Sequence, residues 1–310
     1  MASKELTLKS LLRNPKKTFR KFRWGKNPIS CTKCGSTNVY TKNDIHFCRD
    51  CGRHFTDTSD TVLHSCKLPL DKIILAIYYF VTNTRGISSY QLAQKIDVTQ
   101  KTSWRLLTKL RIAVQQDLQL SDNVILDELY LGGSFRWKPL HKKLPPNIYH
   151  NYKDYTPQEL KQRIFEYASQ CKMPVLGVVG MEKNLYKRVS VRLLYISTSV
   201  SRKNVQDLLK GKIYPSRIIS DEAPMYETIS KSYGVPHSVN NHSEFTYQSS
   251  DGYSSTRVEG LFSHVRRLFS GTYTFCSRKY LQGYLDEVSF RYNCRRYSVI
   301  QRLNLFFSFL

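Results

Sequence analysis

Two pairs of cysteines near the start of the chain restrict its fold more than any other feature. They are CxxC pairs separated by 13 residues, and their members are Cys31, Cys34, Cys48 and Cys51. Each pair supplies two thiolates from one tight turn, and a structural zinc ion takes four such ligands in a tetrahedron. Gly35 and Gly52 follow the pairs, where a positive φ lets each turn close. A redox site would need only one pair, so residues 27–60 are predicted to form a zinc ribbon.

The charge of the chain predicts a polyanionic partner. Lys and Arg total 48 against 24 Asp and Glu, which gives a net charge of +24 and a pI near 9.7. Such an excess favours nucleic acid through long-range attraction and counterion release, with a membrane surface as the alternative. The longest apolar run, Ile73 to Val81, has nine residues, whereas a spanning helix needs roughly 18. No membrane partner is therefore expected.

The isolated cysteines indicate the cellular compartment, and residues 1–26 are a candidate contact with DNA. The isolated cysteines, which fit a reducing interior better than a disulfide framework, are Cys66, Cys171, Cys276 and Cys294. We expect a cytoplasmic protein, at the nucleoid in a bacterium, or a nuclear protein in a eukaryote. Residues 1–26 are predicted to be a basic arm that grips DNA or is solvated.

A helix-turn-helix is predicted within a helical domain at residues 67–119. Ile87 to Ile96 and Gln100 to Arg111 have helical patterns, Val98 fills the turn, and Thr99 caps the second helix. The residues expected to face inward are Leu92, Ala93, Ile96, Trp104, Leu107 and Leu110. Those expected to reach bases and phosphates are Gln100, Lys101, Ser103 and Arg105. An ordinary helical hairpin in a core is the alternative.

Beyond Ser121 the pattern changes to short apolar runs typical of strands, followed by helices. The strands are predicted at residues 124–126, 175–179, 189–196 and 218–219, and the helices at 203–212, 225–233, 258–269 and 278–293. A polar, basic stretch at residues 134–172 interrupts the series and reads as an insertion or a basic loop. Residues 120–310 are therefore predicted to form one α/β domain.

Two aspartates follow predicted strands. Asp127 comes after Val124-Ile-Leu, and Asp221 comes after Ile218-Ile-Ser. Carboxylates that emerge from adjacent strands are suitable ligands for hard divalent cations, and two such ions support an in-line phosphoryl displacement. The alternative is that both are turn residues at strand ends.

A third acid is expected from a later helix. Thr256, Glu259 and Arg266 share one helical face, so Glu259 can complete a metal site while Arg266 contacts a phosphate bidentately. An exposed glutamate in a salt bridge is the alternative. Asp286 and Glu287 are weaker rivals for the third ligand.

Together these motifs resemble the zinc-ribbon DDE-type insertion-sequence transposases, a bacterial group related to the eukaryotic Merlin elements. The most specific segments, beside the cysteine pairs, are Asp127-Glu-Leu-Tyr-Leu-Gly-Gly133, Ser220-Asp-Glu222, Val258-Glu-Gly260, and Tyr284-Leu-Asp-Glu287 with Phe290-Arg-Tyr-Asn293. The resemblance implies an RNase H-like core with a mixed sheet flanked by helices. It also implies Mg²⁺ or Mn²⁺ dependence, binding to terminal inverted repeats, and Asp127 and Asp221 as the first two catalytic acids.

Three positions depart from the pattern of this family. Thr256 stands where many relatives carry Asn, Arg266 where they carry Lys, and Ser134 where Lys often follows the glycine pair. A threonine offers only a neutral hydroxyl, and 37 residues separate Asp221 from Glu259, as in the branch that uses glutamate. Glu259 is therefore predicted to be the third ligand. The departures leave open an inactive copy.

The sequence thus predicts a DNA transposase that cleaves the 3′ ends of its element and joins them to target DNA. Asp127, Asp221 and Glu259 are its predicted Mg²⁺ ligands, Arg266, Lys101 and Arg105 its predicted DNA contacts, and zinc its structural ion. A homo-oligomer on paired ends is expected. The alternatives are a sequence-specific DNA regulator with an inactive core and a nuclease that cleaves without joining.

Overall fold

The computed structural model divides the chain into two compact units. The first contains Met1–Gln116 and Asp286–Leu310, and the second contains Asp117–Leu285. The predicted α/β domain extended to residue 310, whereas the residues from Asp286 onward cluster with the first unit. The structure describes residues 8–115, 119–132, 144–170, 172–181, 189–197, 199–239, 256–274 and 276–310. Within these ranges, no helix has the length and apolar character needed to cross a membrane.

A three-stranded antiparallel sheet follows the first cysteine pair. Its strands are β1 (Val39–Lys42), β2 (Ile45–Cys48) and β3 (His54–Phe55). Asn43 and Asp44 connect β1 to β2, and both have positive φ angles, as a tight two-residue hairpin requires. Alternation along β2 turns His46 and Cys48 into the small core, where Cys48 packs with Cys31 and Phe55.

The predicted basic arm is a folded part of the first unit from residue 8 onward. It contains helix α1 (Leu8–Leu12) and helix α2 (Pro15–Trp24). Phe19 on α2 is fully buried and packs edge-on against Phe307, with ring centroids 5.3 Å apart. This helix was not predicted, because the many cations of the segment obscure the apolar spacing between them.

Several cations of α2 bind acids of the ribbon. Lys16 pairs with Asp44, and Arg20 Nε donates to Asp57 Oδ2 at 2.8 Å. Arg23 donates to the backbone carbonyl oxygens of Asp57 and Ser59. These contacts give the basic residues a structural role that the sequence analysis did not consider.

Four further helices build the apolar core of the first unit. They are α3 (Leu70–Thr82), α4 (Ser89–Ile96), α5 (Gln100–Ala113) and α12 (Val299–Phe307). The fully buried side chains at the centre of this core include Ile77, Phe80, Leu92, Leu107, Leu110 and Phe306. Helix α12 was not predicted, although its Ser298–Gln301 capping box is visible in the sequence.

Helices α4 and α5 are joined by a three-residue turn. Ser88 and Gln91 form a capping box at the start of α4, and the Thr99 hydroxyl accepts a hydrogen bond from the amide of Thr102 at the start of α5. Asp97 ends α4 in the left-handed region with φ of 50°. The turn between two packed helices therefore has the local chemistry that the sequence predicted.

The second unit is built on a mixed five-stranded sheet. Its strands are β4 (Leu120–Leu131), β5 (Met173–Met181), β6 (Val189–Tyr195), β7 (Ile213–Ser220) and β8 (His237–Val239). Their order across the sheet is β6-β5-β4-β7-β8, in which β4, β5 and β6 pair antiparallel and β7 and β8 continue in parallel. Four of these strands contain predicted runs, and the short edge strand β8 was not predicted.

Helices lie between and after these strands along the chain. They are α6 (Pro146–Tyr149), α7 (Pro157–Gln170), α8 (Arg202–Leu209), α9 (Pro224–Tyr233), α10 (Thr256–Gly271) and the start of α11 (Leu281–Asn293). Side chains of α8 and α9 pack with alternate residues of β4, among them Val124 and Leu126. Helices α6 and α7 lie inside the predicted basic loop. Ser134, near the start of that loop, lies outside the described residues.

Candidate metal centres

The four predicted zinc ligands lie together. One Sγ from each of Cys31, Cys34, Cys48 and Cys51 falls within 4.8 Å of the others. The Sγ atoms of Cys31 and Cys51 are 3.5 Å apart, and those of Cys34 and Cys48 are 3.6 Å apart. These thiols form a four-cysteine cluster with the donor chemistry that zinc selects.

The turns of the ribbon fix the position of these thiols. The amide of Gly35 donates to the carbonyl oxygen of Cys31 at 2.8 Å, and the amide of Gly52 donates to that of Cys48 at 3.0 Å. Both glycines have positive φ, of 75° and 67°, as predicted. Burial alone would raise the pKa of Cys31, but backbone hydrogen bonds at Cys34 and Lys33 contribute to lowering it to about 6. The thiolate is the form that binds a metal ion.

The register of the second sheet places the two predicted aspartates side by side. Ile125 pairs with Ile219 between β4 and β7, so the parallel register brings Asp127 opposite Asp221 two residues further on. Asp221 follows the end of β7, as predicted. Asp127, however, lies inside β4, because β5 keeps pairing with β4 as far as Leu131. The prediction that Asp127 follows the end of its strand was therefore wrong.

Glu128 joins these two aspartates. Carboxylate oxygens of Asp127, Glu128 and Asp221 all lie within 4.8 Å of one another, and each residue is half-buried. Asp127 Oδ1 accepts a hydrogen bond from the amide of Glu128 at 2.7 Å, and Asp221 Oδ1 accepts one from the amide of Ala223 at 3.2 Å. We refer to these three residues as the acidic cluster.

Sequence reasoning missed Glu128 as a member of the acidic cluster. Val124 and Leu126 lie in the core next to α9, and Glu128 continues their two-residue alternation along β4. An acid in line with two buried apolar residues was the available signal. Burial raises the pKa of Glu128, the interaction with the Tyr226 hydroxyl opposes part of this rise, and the charges of Asp221 and Asp127 add to it.

Helix α10 brings Glu259 to the sheet but not into the acidic cluster. The helix packs against β4 and β5, and Glu259 is half-buried on it. Within the part of the chain that the structure describes, the metal-capable carboxylate group contains Asp127, Glu128 and Asp221 and does not include Glu259. Arg266 is exposed two helical turns further along. The side chain of Thr256 lies outside the described residues.

A glycine allows α10 to approach the strand next to Asp127. Gly177 on β5 is the cross-strand partner of Asp127. A Cβ atom built at Gly177 would lie 2.5 Å from Phe262 Cε1 and 3.2 Å from Val258 Cγ2, both on α10. No side chain larger than hydrogen fits there without movement. The residue next to Val258 in the sequence is Glu259, so this contact also sets the depth of the predicted third ligand.

The two rival acids lie in the first unit. Glu287 is fully buried between two arginines: Arg111 Nε donates to Oε2 at 2.7 Å, and Arg291 Nη2 donates to Oε1. Asp286 is also largely buried. Because Glu287 is neutralised by two cations, it has no charge left for a metal ion, and its role in this structure is to join α5 to α11.

The predicted DNA contacts on α5 fall into two groups. Lys101 and Arg105 are exposed and lie one turn apart. Gln100 is half-buried and donates to the hydroxyl of Ser89 at 2.8 Å. Ser103 is completely buried, so the expectation that it reaches DNA was wrong. It lies between the inward positions of α5, where a small residue allows close packing.

The acidic cluster fits a hard divalent cation. Its donors are all carboxylate oxygens, the ligand type that Mg²⁺ and Mn²⁺ prefer. A second observation agrees, because the hydroxyl of Tyr226, on α9, is buried and makes no hydrogen bond of normal geometry among the described residues. Burial raises the pKa of Tyr226 most, and the charge of Glu128, the interaction of the hydroxyl with that carboxyl and the charges of Asp221 and Asp127 raise it further.

The second unit is a mixed α/β unit with an acidic cluster on its central strands, and the chain also carries a four-cysteine cluster. These features are typical of a metal-dependent class of protein that processes DNA, and the family comparison agrees. Residues 119–293 match the family model of the ISXO2-like transposase domain. This match spans more than half of the chain, and the protein therefore belongs to the ISXO2-like transposase family. All residues of the acidic cluster lie within the matched segment.

A curated relative supports this assignment. The uncharacterized protein in transposable element ISH50 of Halobacterium salinarum is 30% identical over 120 residues, which cover 37% of this chain and 40% of the relative. The aligned part is thus less than half of that protein. No solved structure matches the chain significantly.

Proposed function

We propose that the protein is an active DNA transposase that binds the terminal inverted repeats of its element, cleaves at the 3′ ends and joins them to target DNA. The observation that carries this proposal is the acidic cluster inside a domain of the ISXO2-like transposase family. A protein that only binds DNA would have no use for three half-buried carboxylates gathered within 4.8 Å.

The second unit is proposed to have an RNase H-like fold. Its mixed sheet, with three antiparallel strands extended by two parallel strands and covered by helices, supports this assignment. The proposed catalytic acids are Asp127, Asp221 and Glu259. Mg²⁺ or Mn²⁺ bound there would supply Lewis-acid stabilisation of the charge that develops during phosphoryl transfer.

The residues of the chain have defined tasks in this proposal. The amides of Glu128 and Ala223 orient the carboxylates of Asp127 and Asp221. The close contact at Gly177 holds α10 at the depth from which Glu259 approaches the sheet. Arg266 is exposed on the Glu259 side of α10, and its guanidinium is suited to bind a DNA phosphate bidentately.

DNA recognition is assigned to the first unit. Lys101 and Arg105 are exposed on α5, the helix that would enter the major groove if α4 and α5 act as a helix-turn-helix. Zinc held by the four-cysteine cluster would keep the ribbon folded. We further propose that the protein acts as a homo-oligomer on paired element ends.

Strand transfer with pre-cut element ends tests the proposal. Wild type with Mg²⁺ or Mn²⁺ is expected to join a labelled 3′ end to a plasmid, and Asp127→Asn, Asp221→Asn and Glu259→Gln are expected to abolish joining. Glu222→Gln is the matched control, because Glu222 is exposed beside Asp221 and outside the acidic cluster. Circular dichroism of each variant checks folding.

The outcomes separate the candidate functions. Specific binding without joining by wild type would favour a DNA regulator, and cleavage without joining would favour a nuclease. An active Glu259→Gln variant would leave the transposase proposal standing but overturn Glu259 as the third acid.

A further inference from the structure

Two Asp-Glu pairs occur at the proposed catalytic centre, and their glutamates have different surroundings. Asp127 is followed by Glu128, and Asp221 is followed by Glu222. Glu222 is exposed and does not belong to the acidic cluster, whereas Glu128 is half-buried inside it. The same dipeptide therefore gives one solvated glutamate and one that lies among other acids.

The pleat of β4 directs Asp127 and Glu128 to opposite faces of the sheet. Asp127 shares the face of Gly177, its cross-strand partner, which α10 covers. Glu128 shares the face of Leu126, which packs in the core with α9. Because oxygens of both acids still lie within 4.8 Å of one another and of Asp221, the centre has donors on both faces of the sheet.

Among the described residues, the surroundings of the half-buried Glu128 carboxylate lack a cation that would neutralise it. Its neighbours within the acidic cluster carry the same charge. The Tyr226 hydroxyl is fully buried and interacts with the Glu128 carboxyl, but within the described ranges it makes no hydrogen bond of normal geometry. A half-buried acid without a cation and a buried hydroxyl without a well-formed hydrogen bond cost free energy that a bound cation and its water ligands would recover.

We propose that Glu128 is an additional carboxylate ligand of the centre and that Tyr226 is the positioning residue that orients it. Glu128 would add a ligand from the α9 side of the sheet to those of Asp127 and Asp221, and the enlarged set of carboxylates would suit two hard divalent cations. This inference rests on the proposed function, because it assigns a residue to the metal centre of that function.

Titration of the full-length, zinc-loaded protein with Mn²⁺ tests this inference without any DNA reaction. Free Mn²⁺ is followed by electron paramagnetic resonance. Wild type is expected to bind about two ions, as two-metal phosphoryl-transfer centres do. Glu128→Gln is expected to lose one ion or to bind it at least about tenfold more weakly, and Tyr226→Phe to weaken the same ion about tenfold with an unchanged unfolding temperature. The control Glu222→Gln is expected to match wild type.

Each result decides the proposal. If Glu128→Gln binds two ions with the affinity of wild type, or if wild type binds a single ion, the assignment of Glu128 is overturned. If Tyr226→Phe leaves Mn²⁺ affinity unchanged, Tyr226 has no positioning role. Reduced Mn²⁺ binding by Glu128→Gln in a protein that joins no DNA supports the ligand assignment and contradicts the proposed function, so the two failures are distinguishable.

Discussion

Each unit contains a glutamate that is at least half-buried, and the residues around the two side chains are of opposite kinds. In the first unit, Glu287 has no exposed surface and accepts hydrogen bonds from Arg111 and Arg291. In the second, Glu128 lies beside Asp127 and Asp221, with no cation at its side chain among the described residues. A buried acid that neighbouring residues neutralise serves the fold. A half-buried acid that has other acids and no cation beside it indicates a ligand that the protein binds.

The largest effect is expected when the charge of Glu287, the neutralised glutamate, is removed. Glu287→Gln keeps the volume of the side chain but leaves two arginines buried without their acid, which costs about 3–5 kcal/mol. Urea denaturation followed by tryptophan fluorescence measures the loss, since Trp104 lies on α5 with Arg111. Mn²⁺ binding by the folded variant should equal that of wild type. A stable variant with weakened Mn²⁺ binding would instead return Glu287 to the metal centre.

Asp57 extends the comparison to the ribbon. Its carboxylate is 5% exposed and accepts hydrogen bonds from Arg20 Nε at 2.8 Å and from His46 Nε2 at 2.9 Å. Asp57→Asn removes the charge that both donors face. We expect a loss of about 2 kcal/mol at neutral pH, in the range for hydrogen bonds to charged groups.

The pH dependence of this loss has a fixed sign. Burial alone would raise the pKa of Asp57, but the hydrogen bonds from His46 and Arg20 lower it below its ordinary value. A lowered pKa in the folded state stabilises the protein above the unfolded-state pKa, and this stabilisation disappears as pH falls through the folded pKa. The difference in unfolding free energy between wild type and Asp57→Asn should therefore shrink in acid. A constant difference would show that the charge of Asp57 is unimportant.

The comparison also shows which features the sequence can reveal. Spacing alone located the cysteine cluster and the turn between α4 and α5, because each depends on residues close together in the chain. Asp127 and Asp221 were found from the strands before them. By contrast, the burial of Ser103, the arginine pair around Glu287 and the place of Glu128 depend on partners distant in the sequence. Local patterns do not contain that information.

Gly177→Ala tests whether the proposed catalytic centre needs α10 close to the sheet. The new methyl group would lie 2.5 Å from Phe262, and such overpacking costs about 1–2 kcal/mol. Strand transfer should fall more than stability, because displacement of Glu259 misplaces a proposed catalytic group. Chemical denaturation and the joining assay measure the two effects.

Gly260→Ala is the matched control on α10. Its Cβ meets nothing within 4 Å, so the variant should be slightly more stable through better helix propensity, by about 0.5–1 kcal/mol. If Gly177→Ala loses stability and joins DNA at the wild-type rate, the depth of α10 does not determine catalysis.

A further small effect is expected at Glu128, where the sign of the stability change should reverse with Mn²⁺. In EDTA too mild to remove zinc from the ribbon, Glu128→Gln should be more stable than wild type by about 1 kcal/mol, because one of three neighbouring like charges is removed. With saturating Mn²⁺ the order should invert, since wild type gains the binding free energy of an ion that the variant holds weakly. Thermal unfolding with and without Mn²⁺ measures both. A side chain that only fills space would give the same order in both conditions, whereas a ligand must give opposite orders.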